Sequence, residues 1–375
     1  MVVNVRQSAE LVCKLAKHVQ IKQDGIKQVA NMIVKALQSN SYSIQSWKQH
    51  DLHPKDMNEA TLNWILVLDT LNFSFWTENP QKFVIRYKEK NYTGYWSLVA
   101  AINRALDEGI PLTTPQFYAD ITTQQFETIF RSETDTRIPL VEARVKNLRE
   151  VGRKVIEKFD GSFVNCIKQC NQSAEKLLES ITSTFDCFND VSTFHDIQVG
   201  FYKRAQILIA DIWACFEGQG FGYFQDIEYI TMFADYRVLL IAITIQLLCL
   251  PANSLHYHTS ISFFLLRLPC FRRIPQVLAF MNVLTYSDSL MQHLKDGTEI
   301  KAGDVMELEI RGSSIWAVEL IYREIKSQIQ ASEDLRQRDL IVNSIIIDFY
   351  LWDYCKEYRS EIDVIPMHKT RTIFY

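Results

Sequence analysis

The run Val238 to Leu250, "VLLIAITIQLLCL", is the feature that most restricts what this chain can become, because it is apolar on every side except at Thr244 and Gln246. It falls short of the roughly 20 residues needed to cross a bilayer and ends at Pro251, so the core of a folded protein is where it belongs. Directly before it stand Asp235, Tyr236 and Arg237. The segment "FYKRAQILIADIW" (201–213) has the same character, with Lys203, Arg204 and Asp211 set among apolar residues. A helix that is apolar all round is a buried helix. An unpaired ion there costs several kcal/mol, so each charge needs a partner or a task. Arg204 and Asp211 lie on one helix face about two turns apart, too far to bond each other. One reading is a buried ion network, Lys203 or Arg204 with Asp235 and Arg237 with Asp211. The other is that Lys203 and Asp235 face a pocket together.

Elsewhere the apolar residues recur at steps of three and four. Leu11, Leu15 and Val19 form one stripe, and Ile26, Val29, Ile33 and Leu37 another. "TGYWSLVAAINRALDEGIP" reads as a helix capped by Thr93 and stopped by Gly109 and Pro111. Thr122 and Gln125 have the spacing of a capping box. Val141, Val145, Leu148, Val151, Val155 and Phe159 mark a long amphipathic helix ended by Gly161, and the pattern continues through Phe163, Ile167, Cys170, Leu177 and Ile181. Strand candidates are few: "KFVIRY" (82–87) and "VMELEI" (305–310). Length alone suggests about two domains, but no linker, repeat or low-complexity tract divides the 375 residues. The expectation is a mainly α, single globular helical fold over residues 1–375, of one lobe or two, with few short strands.

Composition excludes several classes of function. The net charge of −4 lacks the basic stripe that binding to a phosphate backbone requires, so long DNA or RNA is not the expected partner. The eight cysteines are scattered, and the closest two, Cys166 and Cys170, have neither redox nor zinc spacing. With no signal-like N-terminus and no spanning run, the expected setting is the cytoplasm, away from membranes. "EGQGFGYF" lacks the dinucleotide-binding spacing, and phosphate-loop, HExxH, GxSxG and zinc-deaminase patterns are missing. His256 and His258 have no evident third metal ligand. No metal or organic cofactor is expected.

Two further clusters join charge or amide to aromatic rings. "DTLNFSFW" (69–76) holds Asn72 between apolar neighbours, and its rings fit either core packing or a stacking wall for a planar base, at roughly 1–3 kcal/mol per base. "NSIIIDFYLWDYCK" (343–356) sets Asp348 and Asp353 where water is scarce. The last residues place His368, Lys369 and Arg371 beside Ile373, Phe374 and Tyr375, an aromatic tail expected to dock.

Seven blocks taken together, "LDTLNFSFW", "GYWSLVAAINRALDEGIPLT", "FYKRAQILIADIW", "ITMFADYRV", "ELEIRGSSIWAVELI", "IIIDFYLWDY" and "HKTRTIFY", resemble the queuosine 5′-phosphate N-glycosylase/hydrolases of queuosine salvage. They run in order over about residues 64 to 375, and the first sixty residues match least clearly. The resemblance implies a helical fold distantly like helical DNA glycosylases, a small nucleotide substrate and release of the base queuine. It makes Lys203 and Asp235 the functional pair. It suggests stacking on the base by Phe73 and Trp76, polar contacts to the base or its cyclopentenediol from Asn72 and Asp348, and weaker phosphate candidates in Arg237, His368 and Arg371. The family pattern has Pro-Gln where this chain has Leu239-Leu240, and cysteine where it has Ser74. The competing expectation is a non-catalytic helical binding protein for a nucleotide or deazapurine. A glycosylase for polymeric nucleic acid is disfavoured by the net charge and by the missing helix-hairpin-helix glycine loop. Oligomeric state is not expressed in the sequence.

Overall fold

The computed structural model describes residues 3–39, 50–233, 274–338, 340–366 and 368–375. Asp235, Arg237, Leu239, Leu240, His256 and His258 lie outside the described residues.

Helix α1 (Val5–Leu15) starts at Asn4, whose side chain accepts the Gln7 N–H at 3.0 Å. It is followed by β1 (Val19–Ile21) and α2 (Gln23–Gln38), which buries Ile26, Val29, Ile33 and Leu37 as the spacing predicts. Helix α3 (Glu59–Thr70) is apolar on all sides and buried from Thr61 onward save Asn63. Strands β2 (Val84–Tyr87) and β3 (Lys90–Thr93) form a hairpin, bearing out the "KFVIRY" strand. Lys88 and Glu89 turn it in the left-handed conformation that suits two-residue hairpins. Helix α4 (Tyr95–Asp107) is preceded by Gly94 at φ 62°, so Thr93 is not the cap; it is the last residue of β3, paired with Val84.

Helices α5 (Pro115–Tyr118) and α6 (Thr123–Ile129) follow, the second with the expected Thr122–Gln125 capping box. The long stripe becomes α7 (Val141–Phe159), ended by Asp160 and Gly161 in left-handed conformations. The continuing pattern is two helices, α8 (Phe163–Gln169) and α9 (Ala174–Thr184), because Asn171 and Gln172 between them are both left-handed. A hairpin of β4 (Val191–Phe194) and β5 (Ile197–Gly200) leads into α10 (Lys203–Cys215), every residue of which is buried. The remaining elements are α11 (Ile274–Phe280), β6 (Leu284–Tyr286), α12 (Asp288–Lys295), α13 (Val305–Ala331), α14 (Glu333–Arg336), α15 (Ser344–Glu357) and α16 (Arg359–Ile362). Strand β6 pairs antiparallel with β1.

The "VMELEI" strand is not found; those residues open α13, whose N-cap Asp304 accepts the Met306 N–H at 2.9 Å. Their alternation arises from two buried carboxylates rather than from a sheet. Glu307 accepts from Gly303 N–H at 3.0 Å, and Glu309 accepts from the N–H groups of Lys17, His18 and Val19 at 2.6–3.1 Å. Both satisfy main-chain donors, so polar residues two apart here carry no strand signal.

The 27 residues of α13 span about 40 Å and pack against α1, α2, α11 and α15. Gly312 allows the closest approach: a Cβ there would lie 2.5 Å from a methyl of Val12 on α1. Helix α10 packs on α3 and α9, and α7 on α3, α5, α6 and α8. The fold is mainly α, and among the described residues strands occur only as two-stranded antiparallel ribbons. No helix among the described residues is long and apolar enough to cross a membrane.

Candidate active site

The loop after α3 is held through its carbonyl oxygens. Arg204 on α10 donates to the carbonyls of Asp69 at 3.0 Å and Thr70 at 2.6 Å, and to that of Cys187. Arg144 on α7 donates to the carbonyls of Leu71, Phe73 and Ser74, and through Nε to Pro139 at 2.8 Å. Both guanidinium groups are buried, Arg144 at 0% and Arg204 at 1% exposure. Burial pushes Arg204 below its ordinary pKa. The carboxylate expected for Arg204, that of Asp235, lies outside the described residues; within them main-chain oxygens hold this guanidinium. Arg144 was missed by the sequence reading, although "VEARV" places it on the buried stripe of α7, between Val141 and Val145.

Those two arginines also sit over Phe73, their guanidinium carbons 4.3 and 5.0 Å from the ring centroid. Phe73 is thus packed among cations with 1% exposure. Asn72, equally buried, donates to Asp69 at 3.0 Å. Trp76 faces the C-terminal tail: its indole N–H donates to the Thr370 carbonyl at 3.1 Å, and the Arg371 guanidinium lies 3.8 Å from its ring centroid. Ser74, at φ 39°, ties loop to tail, its hydroxyl donating to the Thr372 carbonyl at 2.8 Å and accepting the Thr372 N–H at 3.3 Å. The tail therefore docks as expected, and on the aromatic loop itself.

Lys203 is the first residue of α10 and is 2% exposed. Its N–H donates to the Asp190 carboxylate at 3.3 Å. Asp190 meets Arg311 of α13 in a two-point ion pair, and Arg311 also reaches Glu307 at 3.4 Å. Although burial opposes its charge, Asp190 and Glu307 hold Arg311 above its ordinary pKa. Burial raises the Glu307 carboxyl, against the pull of Arg311 and Tyr375. The "ELEIRG" block contains the clue to this pair, since Glu307 and Arg311 are one helical turn apart.

His368 is 4% exposed, and burial, helped by the Arg311 charge, pushes its pKa down to about 3. It is a neutral imidazole at pH 7, able to donate one hydrogen bond but bringing no charge to a phosphate. Asp348 on α15 is buried and accepts the N–H of Phe233 at 3.1 Å. Phe233 is the last described residue before Asp235 and Arg237 in the sequence.

The structure thus brings Asn72, Phe73, Trp76 and Arg371 together through loop and tail. Lys203 is linked to that assembly by the Arg311 network, and His368 lies within reach of the Arg311 charge. Among the described residues no group of three or more His, Cys, Asp or Glu is placed to hold a metal. A cleft of about 810 Å³ lies at the far end of α10, lined by Lys168, Gln172, Phe216, Phe221 and Phe224 among others, and none of the site candidates among the described residues borders it.

A family profile described as Queuosine salvage protein matches residues 52–258 and 270–375. A Nematostella vectensis protein named Queuosine 5′-phosphate N-glycosylase/hydrolase is 45% identical over 376 residues, covering 99% of this chain and 98% of that protein. Proteins of the same name from Mus musculus and Schizosaccharomyces pombe are 38% and 37% identical. Their alignments cover 99% of this chain and 98% and 99% of the relatives. With the matched blocks lying on α3, α4, α10, α13, α15 and the docked tail, the chain belongs to the queuosine salvage protein family.

Proposed function

We propose that this chain hydrolyses the N-glycosidic bond of queuosine 5′-phosphate, releasing queuine and ribose 5-phosphate for the salvage of queuosine into tRNA. The observation that carries this reading is kinship over the whole length: relatives named for that activity align with 99% of the chain. Loss of a base from ribose passes through an oxocarbenium-like sugar, positive at C1′. An ionised carboxylate held there stabilises the charge and activates the attacking water. Asp235 takes both tasks in this proposal, and general-base assistance is worth about 10²–10⁴-fold. Lys203 neutralises the 5′-phosphate or orients the carboxylate and water. Its support is a dry environment, in which such charges act strongly.

Asn72 and Asp348 are assigned polar contacts to the base or its cyclopentenediol, and Phe73 and Trp76 its aromatic wall. At least one face of each ring already carries a guanidinium, so stacking uses the other face or displaces the cation. Arg371, half-buried over Trp76, is the better supported phosphate candidate on the tail, since His368 is neutral. Arg237 retains that role on the resemblance alone. The substrate is a small nucleotide, and the cytoplasm is the assigned compartment.

Kinetics of Lys203→Ala and Asp235→Asn test the assignment. Asp235→Asn is expected to abolish release of queuine and to melt as the wild type does. Lys203→Ala is expected to raise KM if it binds phosphate and to lower kcat if it serves chemistry. Asp235→Asn that turns over normally, or that unfolds, removes the catalytic role. Binding of queuosine 5′-phosphate without release by the wild type would favour the binding-protein alternative.

A further inference from the structure

Asp190 has no part in the chemistry above, yet three consecutive amides depend on it. It stands at the foot of the β4–β5 hairpin, next to Val191, which pairs with Gly200. Its main-chain oxygen accepts the N–H of Phe201 at 3.0 Å and of Tyr202 at 3.4 Å. Its carboxylate accepts the N–H of Lys203. The first N–H groups of a helix have no acceptor within it, and Tyr202 provides no side-chain cap. Asp190 supplies that cap from across the hairpin. Tyr202 meanwhile sits at φ 46°, a left-handed conformation that bulky residues adopt only when their surroundings impose it.

Arg311 fixes Asp190 in turn. Its two terminal nitrogens each meet one carboxylate oxygen, the planar match that makes such pairs directional. The guanidinium lies 4.3 Å from the Phe201 ring centroid and 4.2 Å from that of Tyr375. The Tyr375 hydroxyl donates to Glu307, which also contacts Arg311. The contacts run without a break from tail to helix: Tyr375, Glu307, Arg311, Asp190, then the main chain of Lys203. We infer that Asp190 and Arg311 are positioning residues for Lys203, setting the first turn of α10 and so the direction in which the lysine leaves it, with Tyr375 as the distal brace. The inference rests on Lys203 acting in the hydrolysis.

A double-mutant cycle tests it. Asp190→Asn keeps the shape and an oxygen for the Lys203 N–H but removes the charge that holds Arg311. In the full-length protein it is expected to lower kcat about ten- to a hundredfold, the scale of an ångström-level misplacement, with KM changed less than about threefold. In the Lys203→Ala background, with residual queuine release read by mass spectrometry over long incubations, the same substitution is expected to change release less than about twofold. Equal losses in both backgrounds, or an undiminished kcat in Asp190→Asn, overturn the inference. Full activity of Lys203→Ala alone would instead remove the role of Lys203 on which it rests. Should Asp190→Asn not fold, or Lys203→Ala release fall below detection, Tyr375→Phe decides. A kcat lowered several-fold with unchanged KM and melting temperature supports the brace, and wild-type kcat overturns it.

Discussion

Replacing Arg204 by methionine removes a buried cation while keeping much of its length. Three charge-assisted bonds to carbonyls are lost, at about 1.5–3 kcal/mol each. Against that loss, the guanidinium no longer has to be desolvated, which offsets several kcal/mol. Taking about 6 kcal/mol lost and about 3 regained, the net destabilisation is about 3 kcal/mol. With about 2.1 cal/mol/K of unfolding entropy per residue, 375 residues give about 0.8 kcal/mol/K, so melting should fall by about 4 °C. Scanning calorimetry reads that shift, and hydrogen–deuterium exchange should rise over residues 69–76, the loop that loses its anchors at the Asp69 and Thr70 carbonyls. Arg204→Met melting at or above the wild-type temperature, with unchanged exchange there, would refute the argument that main-chain carbonyls hold this arginine and that it holds the loop.

His368 gives a pH dependence with a definite sign. Its folded pKa of about 3 lies below the unfolded value near 6.5, so the unfolded chain binds the extra proton between these values. Stability is complete above the unfolded pKa and is lost as pH falls; between pH 7 and 5 the wild type should lose about 2 kcal/mol more than His368→Gln, read from urea midpoints. Equal losses would show that the imidazole is not held neutral. Gly312→Ala should cost about 1–3 kcal/mol through the clash with Val12, and pairing it with Val12→Ala should recover much of that in thermal melts. Additive losses would contradict the close crossing of α1 and α13.

Local signals were legible where local physics decides. The Thr122–Gln125 box, the stripe of α7 and the "KFVIRY" strand depend on neighbours a few residues away, and an aromatic tail that would be poorly solvated docks. The failures share one cause. Glu307 and Glu309 looked like the polar face of a strand because their true partners, Arg311 and the N–H groups of residues 17–19, are set by tertiary structure. Arg204 invited a search for carboxylates, and the carbonyls of Asp69 and Thr70 that hold it within the described residues are of a kind present at every residue and leave no mark in a sequence. Arg144 and Asp190 were overlooked for the same reason: one grips a loop about seventy positions away, the other caps a helix across a hairpin. The apolar neighbours of Lys203 pointed to its burial, but nothing local pointed to the network that holds its helix.

Release of queuine, followed by mass spectrometry, is the most direct test of the central claim. Purified protein is incubated with queuosine 5′-phosphate, queuosine and guanosine 5′-phosphate in parallel. The account predicts free queuine from queuosine 5′-phosphate, no base from guanosine 5′-phosphate, and loss of the signal in Asp235→Asn. No release from queuosine 5′-phosphate by a protein that melts cooperatively would contradict it.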